Sequence, residues 1–223
     1  MNLPLTPDAF LTSQTPDSKA AAILLAAGRS RRMGAFKPLL PFGDKSVVEA
    51  CVDNLRRGGV GTIVVVVGHR GESVRERLAG VPVRFAVNED AESEMSASIA
   101  SGVEQIPNEV EAAFIALVDQ PAVQPEVIRL LIAERSRTLA RLIQPEYEGR
   151  GGHPVLIDLA FREELLNLDP QRGLRGFFEN HREEVLRVHV QSPFIARDMD
   201  TWDDYRALYL EVFGTEPPGG SVQ

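Results

Sequence analysis

The sequence predicts an α/β fold with helices on both sides of a mixed, mostly parallel sheet. Three observations predict it. Short β-branched runs alternate with segments of helical periodicity along the body of the chain, the pattern of a parallel sheet covered by helices. The first of those runs, Ala21–Ala26, is apolar throughout, as expected of a strand buried on both faces. The 223 residues suffice for one full-sized core, in a single domain or a tightly joined pair.

Taken in order, Ala21–Ala26 is the first strand. Ser46-Val47-Val48-Glu49 has capping-box spacing and opens a helix with Val47, Val48, Cys51 and Leu55 on one face, stopped by Gly58-Gly59. The lone cysteine, Cys51, falls on that apolar face and reads as a packing residue; it has no partner for an intrachain disulfide. Thr62–Val67 is the second strand, Glu72–Leu78 a short helix and Val83–Val87 the next strand. Ser96–Glu104 reads as a helix, and Ala112–Val118 as a strand ending at Asp119. Pro125, suited to the first helical position, starts a helix that runs to about Arg137. Leu139–Gln144 and His153–Ile157 read as strands flanking a turn at Gly149–Gly152. Helical segments at Asp158–Asn167 and Leu174–Asn180 precede a strand at Val185–Val190, and Thr201 with Asp204 caps a last helix. Residues 1–18, with three prolines, and residues 215–223 read as flexible tails around a single domain at 19–214.

Hydrophobic residues make up 43% and charged residues 25%, ordinary for a globular protein. The net charge of −8 argues against a general nucleic-acid binder, which needs a basic surface to displace counterions. A local cationic loop can still hold a small polyanion. No apolar run approaches the roughly 18–20 residues that cross a bilayer, and the N-terminus lacks the pattern of a signal peptide. The expected location is therefore the cytoplasm, with no membrane or nucleic-acid partner.

The segment that carries chemistry runs from Leu25 to Lys37, LAAGRSRRMGAFK, directly after the first strand. Open α/β sheets place their ligand crevices beyond such strand ends. Small residues and Gly28 let backbone N–H groups approach phosphate oxygens, and Arg29, Arg31, Arg32 and Lys37 add cations. No acid occurs from Ala26 to Gly43 to neutralise them locally. The bland alternative, a solvated basic turn, is weakened by the buried strand before the loop and the glycines within it. Two better-known phosphate loops do not fit. Lys37 stands three residues after Gly34 and before Pro38, unlike a Walker lysine, and the middle glycine of a dinucleotide fingerprint is missing.

The stretch Leu25–Pro41, LAAGRSRRMGAFKPLLP, closely resembles the signature of the MobA-like nucleotidyltransferases. The resemblance extends over roughly Ala20 to Tyr205, through Leu117-Val118-Asp119-Gln120-Pro121, Gly152-His153-Pro154-Val155 and Asp198-Met199-Asp200-Thr201. It implies a three-layer α/β/α sandwich with a Rossmann-like sheet of the nucleotide-diphospho-sugar transferase type. It also implies a nucleotide held by Leu25, Ala26, Ala27, Gly28, Arg29 and Ser30, and Mg²⁺ held by Asp119 and Asp200. Within the family, Ala26-Ala27-Gly28 is similar to the branch that uses CTP and a molybdopterin acceptor, with a molybdoenzyme as possible receiving partner; the guanylyl branch tends to show a second glycine. GTP is the first rival nucleotide. Other phosphorylated small molecules are rival acceptors.

The residues themselves bear on each role. Asp119 closes an apolar run, which places a hard carboxylate oxygen level with the glycine loop, and Mg²⁺ takes one or two such ligands. The alternative is an acid in an Asp-Gln-Pro turn. For Asp200, the neighbouring Asp198 has the opposite strand facing, and Thr201 offers a capping role. Asn88 after its strand and Ser98 in the next helix match the family segment that contacts base and ribose, although a serine near a helix start is often only a cap. Glu94 departs from the glycine that relatives often carry. Gly152 and His153 resemble the acceptor-side loop, with His153 a possible donor to an acceptor phosphate, or else a satisfied sheet-edge histidine. His69 has no assignable role, and His181 and His189 show no ligand spacing.

An acceptor phosphate is already anionic and attacks the α-phosphorus without a general base, so Arg32 and Lys37 are expected to act by stabilising charge. Two other classes stand beside this one. A non-catalytic nucleotide- or cofactor-binding chaperone for molybdoenzymes does not need the aspartate pair. A Rossmann-type oxidoreductase needs the loop spacing that is missing.

Overall fold

The computed structural model describes residues 17–28, 32–88 and 95–218. The elements are β1 (Asp17–Leu25), β2 (Pro41–Phe42), β3 (Lys45–Ser46), α1 (Val47–Arg57), β4 (Val60–Val67), α2 (Gly71–Arg77), β5 (Arg84–Val87), α3 (Met95–Glu104) and β6 (Ala112–Leu117). They continue with α4 (Pro125–Thr138), β7 (Leu142–Tyr147), β8 (Arg150–Gly151), β9 (Val155–Asp158), α5 (Arg162–Leu166), α6 (Gly173–Asn180), β10 (Val185–His189) and α7 (Trp202–Phe213).

The main sheet has the order β10-β7-β9-β6-β1-β4-β5, with β8 paired to β7. β1 lies inside it, parallel to β4 and to β6, while β9 runs antiparallel to both β6 and β7. Side chains of β1 alternate between two cores, as the period of a strand requires. Ala22 and Leu24 pack with Val47, Val48, Ile128 and Tyr205 under α1, α4 and α7. Ala21, Ile23 and Leu25 pack with Ile99, Val103, Leu165 and Phe177 under α3, α5 and α6. This is the expected mixed, mostly parallel sheet with a helical layer on each side.

Capping chemistry fixes the helix starts. At α1 the Ser46 N–H donates to Glu49 Oε2 at 2.7 Å, and the Arg77 guanidinium donates to the same oxygen at 2.7 Å. At α7 the Asp204 N–H donates to Thr201 Oγ1 at 3.2 Å while Thr201 N–H returns a bond to Asp204 Oδ2 at 2.8 Å. Cys51 is 6% exposed and its thiol lies 3.6 Å from the Val118 carbonyl oxygen, so it packs as expected.

Several boundaries move for local reasons. β1 begins at Asp17, inside the stretch read as a tail, because Asp17 pairs with Val60 across a register shift. The strand expected at Leu139–Gln144 is displaced to Leu142–Tyr147: Leu139 takes the left-handed cap of α4 with φ 59°, and Thr138 Oγ1 accepts from the Ala140 N–H at 3.2 Å. The helical segment after Asp158 is a tight 3₁₀ turn at Leu159–Phe161 followed by α5. The β2–β3 hairpin and the 3₁₀ turn at Lys37–Leu39 are too short to leave a periodic signal.

Candidate active site

The chain leaves β1, builds β4 and β5 on one side, and returns to β6 on the other. That reversal is a topological switch point, and ligand crevices open beyond the strand ends there. The glycine loop leaves β1 and Asp119 lies two residues beyond β6, so both flank the crevice. Backbone bonds set their spacing: Val118 N–H donates to Leu25 O at 3.2 Å, and Ala26 N–H donates to Val66 O at 2.9 Å. Leu25 and Ala26 are therefore anchors, 9% and 1% exposed, whereas Ala27 is half-buried and Gly28 is exposed at the crevice. Arg29 and Ser30 lie outside the described residues. A side chain at Gly68 would bring its Cβ 2.8 Å from the Ala27 carbonyl oxygen, so glycine there lets the exit of β4 pack on the loop backbone.

The two loop cations within the described residues, Arg32 and Lys37, are paired with acids from far along the chain, whereas Arg29 and Arg31 lie outside the described residues. Lys37, 7% exposed, donates from Nζ to Asp200 Oδ1 at 2.7 Å and lies 3.6 Å from Asp119 Oδ2. Arg32 donates to the other oxygen of Asp200 at 2.7 Å. The two carboxylates respond in opposite senses. Burial raises the Asp119 pKa; Lys37 opposes that shift while Asp198 and Asp200 reinforce it. The hydrogen bond from Lys37 holds Asp200 below the usual carboxylate range, against some burial. The difference follows from distance and solvation: Asp200 receives the ammonium directly, and Asp119 is deeper and farther from it.

Residues 198–200 are not a strand, which corrects the expected strand facing of Asp198 against Asp200; residues two apart in a strand would in any case share a face. The segment is tethered instead. Met199 is fully buried and its N–H donates to Asp119 O at 3.0 Å, while Gln120 Nε2 donates to Asp198 Oδ1 at 2.8 Å. The capping role of Thr201 coexists with the placement of Asp200.

Asn88, directly after β5, donates from Nδ2 to Ser98 Oγ at 2.8 Å, and the two are 8% and 7% exposed. Ser98 sits inside α3 rather than at its start, so the cap alternative is removed. Glu94 lies outside the described residues.

Gly152 is buried, and a Cβ there would fall 2.2 Å from the Ile195 carbonyl oxygen. His153 N–H donates to that same oxygen at 2.8 Å. The His153 ring places Nδ1 3.3 Å from the Ile115 carbonyl oxygen. A carbonyl only accepts, so the proton is assigned to Nδ1, and burial lowers the pKa and keeps the ring neutral. In that tautomer Nε2 is an acceptor, and the ring is satisfied on its Nδ1 side. His153 also lines an open pocket of about 470 Å³ with Gln144, Leu174, Phe178, Arg175 and Arg187. His69 is exposed in the turn after β4. His181 bridges Glu164 at 2.8 Å and Glu184 at 3.0 Å, bonds that raise its pKa and give it a structural role.

No cluster of three or more metal-ligating side chains occurs among the described residues. Two carboxylates remain, Asp119 and Asp200, with the Lys37 ammonium standing between them as a cation would. Hard oxygens in this number suit Mg²⁺ or Mn²⁺, which complete their shells with phosphate and water. Gly68, Gln120 and Asp198 were not singled out in the sequence for these roles. Gly68 could have been flagged as a glycine directly after a confident strand, but Gln120 and Asp198 meet only through the fold.

Such a crevice belongs to α/β enzymes that handle phosphate-bearing ligands. Residues 22–185 match the MobA-like NTP transferase domain, and the chain belongs to that family of nucleotidyltransferases. It is 29% identical over 194 residues to nicotine blue oxidoreductase of Paenarthrobacter nicotinovorans, covering 83% of this chain and 95% of the relative. It is 25% identical over 199 residues to the molybdenum cofactor cytidylyltransferase of Escherichia coli K12, covering 85% and 97%. The crystal structure of Rv0371c from Mycobacterium tuberculosis H37Rv superposes with a TM-score of 0.77 at 28% identity, covering 86% of this chain and 98% of that one. The same protein has been solved in complex with manganese, with a TM-score of 0.74 and 27% identity over 86% of this chain and 98% of that one. Among the described residues no helix is long and apolar enough to cross a membrane.

Proposed function

We propose that the protein transfers CMP from CTP to a phosphorylated small molecule, molybdopterin or its molybdate-loaded form, with release of pyrophosphate. The observation that carries this reading is the Lys37 ammonium held 2.7 Å from Asp200 and 3.6 Å from Asp119 at the mouth of the glycine loop. An acceptor phosphate oxygen attacks the α-phosphorus in line, the new P–O bond forms, and the bond to the departing pyrophosphate breaks. The acceptor is anionic at neutral pH and needs no general base. Lys37 and Arg32 stabilise charge that spreads over the transferring group and pyrophosphate. Asp119 and Asp200 would hold Mg²⁺, which supplies further neutralisation of phosphate charge when bound.

The bonded Asn88–Ser98 pair is the candidate contact for base and ribose. The pocket beside His153 is the candidate site for the acceptor body, with Arg175 and Arg187 at its rim for anionic groups. CTP and molybdopterin are favoured by the relation to the E. coli cytidylyltransferase, and a molybdoenzyme is the receiving partner such a product implies. The test is pyrophosphate release by the purified protein with CTP, GTP, ATP or UTP, Mg²⁺, and molybdopterin present or absent. Release that requires both CTP and molybdopterin is expected. Release with GTP alone among the nucleotides would reassign the base, and no release with any of them would overturn the reading. NAD(P)H oxidation followed in parallel assays the class named for the P. nicotinovorans relative.

A further inference from the structure

The Asp119-Gln120 dipeptide carries a feature that the phosphate chemistry does not use. Gln120 is 6% exposed, and its two amide atoms have different fates. Nε2 donates to Asp198 Oδ1 at 2.8 Å, whereas Oε1 is buried without a hydrogen-bond partner, beside a small cavity bounded by Cys51, Leu55 and Val123. A buried amide oxygen left unsatisfied costs free energy, and an apolar side chain of the same length would avoid that cost. Its partner gains little stability from the bond, because Asp198 is exposed and water can solvate its carboxylate. Fold stability therefore gives no reason for a glutamine at this position.

Geometry gives one. The segment Asp198-Met199-Asp200 has no regular secondary structure of its own, and it must present Asp200 toward Asp119. The backbone bond from Met199 N–H to Asp119 O, 3.0 Å, fixes its middle. The Gln120 amide fixes its start, from the residue adjacent to Asp119 itself. We propose that Gln120 is a positioning residue: through Asp198 it holds Asp200 opposite Asp119 at the spacing a divalent cation requires. Groups of this kind, which orient the ligands without touching the ion, set affinity by 10–100-fold when removed from metal sites generally. The inference rests on the reading of Asp119 and Asp200 as a cation pair.

The test uses the whole chain and Mn²⁺ alone, with free Mn²⁺ counted by electron paramagnetic resonance and unfolding followed by calorimetry. Gln120→Met should raise the Mn²⁺ Kd about tenfold while the melting temperature stays the same or rises. Asp198→Ala should weaken Mn²⁺ binding at least as much, because it removes the bond and also a negative charge near Asp119, and adding Gln120→Met to it should cause no further loss, since the bond is already gone. An unchanged Kd in Gln120→Met would overturn the proposal, as would losses that add in the double variant. A parallel fall in melting temperature and affinity would assign Gln120 to fold stability and also overturn it. Failure of the wild-type protein to bind Mn²⁺ would remove the cation pair, and this inference with it; binding by the wild type with no effect of Gln120→Met removes this inference alone.

Discussion

Replacing Lys37 by methionine keeps the length and most of the packing of the side chain and deletes one charge. At an effective dielectric of about 20, its contacts of 2.7 Å to Asp200 and 3.6 Å to Asp119 correspond to gross attractions of about 6 and about 5 kcal/mol. Most of that is offset, because the ammonium is nearly buried and Asp200 keeps 40% of its side chain in water. A net loss of about 1–3 kcal/mol remains, which lowers the melting temperature of a chain this size by about 5 °C. The kinetic cost is larger: one preorganised charge removed from the developing transition state costs about 10²–10³ in kcat. The two effects separate on adding Mn²⁺. Lys37 competes with a cation for the same two carboxylates, so Lys37→Met should bind Mn²⁺ at least as tightly as the wild type, and saturating Mn²⁺ should restore the lost stability. Pyrophosphate release, calorimetry and Mn²⁺ titration on the same preparation check the three parts. Turnover within about threefold of the wild type, where about 10² is expected to be lost, would take Lys37 out of the chemistry.

Three other changes follow from the same geometry. Asp119→Asn should abolish transfer yet leave the protein as stable or more stable near pH 8, since burial and two neighbouring carboxylates make its ionised form costly. A raised folded pKa means that Asp119 lowers stability as pH rises through the window between its unfolded and folded values, so the melting-temperature gap between Asp119→Asn and wild type should close on acidification. Mn²⁺ affinity should fall on acidification starting above the ordinary aspartate range, because Asp119 protonates first, while Asp200, held low by Lys37, keeps its charge longest; a titration midpoint at or below the unperturbed value would refute this. Gly68→Ala, which presses a Cβ to 2.8 Å from the Ala27 carbonyl oxygen, should raise the KM for nucleotide several-fold at a stability cost of about 1–3 kcal/mol; an unchanged KM would mean that the loop backbone does not set the phosphate cradle.

The sheet was legible because its inner strands carry an unambiguous pattern. Ala21–Leu25 and Ile63–Val67 are apolar on both faces, and only a strand covered by helices on both sides tolerates that. The helix caps were legible because Ser46 with Glu49 and Thr201 with Asp204 bond within four residues. The strand after α4 was misplaced because Leu139 looks apolar and buried in sequence but is 82% exposed in a left-handed cap. In the site, the loop, Asp119 and Asp200 could be named in advance, but their mutual neutralisation could not. Nothing local to Lys37 reveals that its partners are 82 and 163 positions away. The tautomer of His153 was equally out of reach, because it depends on a carbonyl of β6 across the sheet.

What holds this centre together is chiefly backbone. Val118 N–H to Leu25 O and Met199 N–H to Asp119 O tie the glycine loop and both aspartate segments together through main-chain atoms, and the Gln120, Lys37 and Arg32 side chains then set where Asp200 points. The regions proposed for base and acceptor are built the other way, from the side chains of Asn88, Ser98, Gln144, His153 and Arg187. Substitution can therefore reshape those regions while leaving the loop–aspartate frame in place. A frame defined by hydrogen bonds between main-chain atoms constrains fold far more than function. On that ground, similarity of 29% to a protein named as an oxidoreductase and 25% to one named as a cytidylyltransferase is not a contradiction. The charged trio Lys37, Asp119 and Asp200 suits phosphate transfer, in which catalysis is mostly the positioning and neutralising of anionic groups.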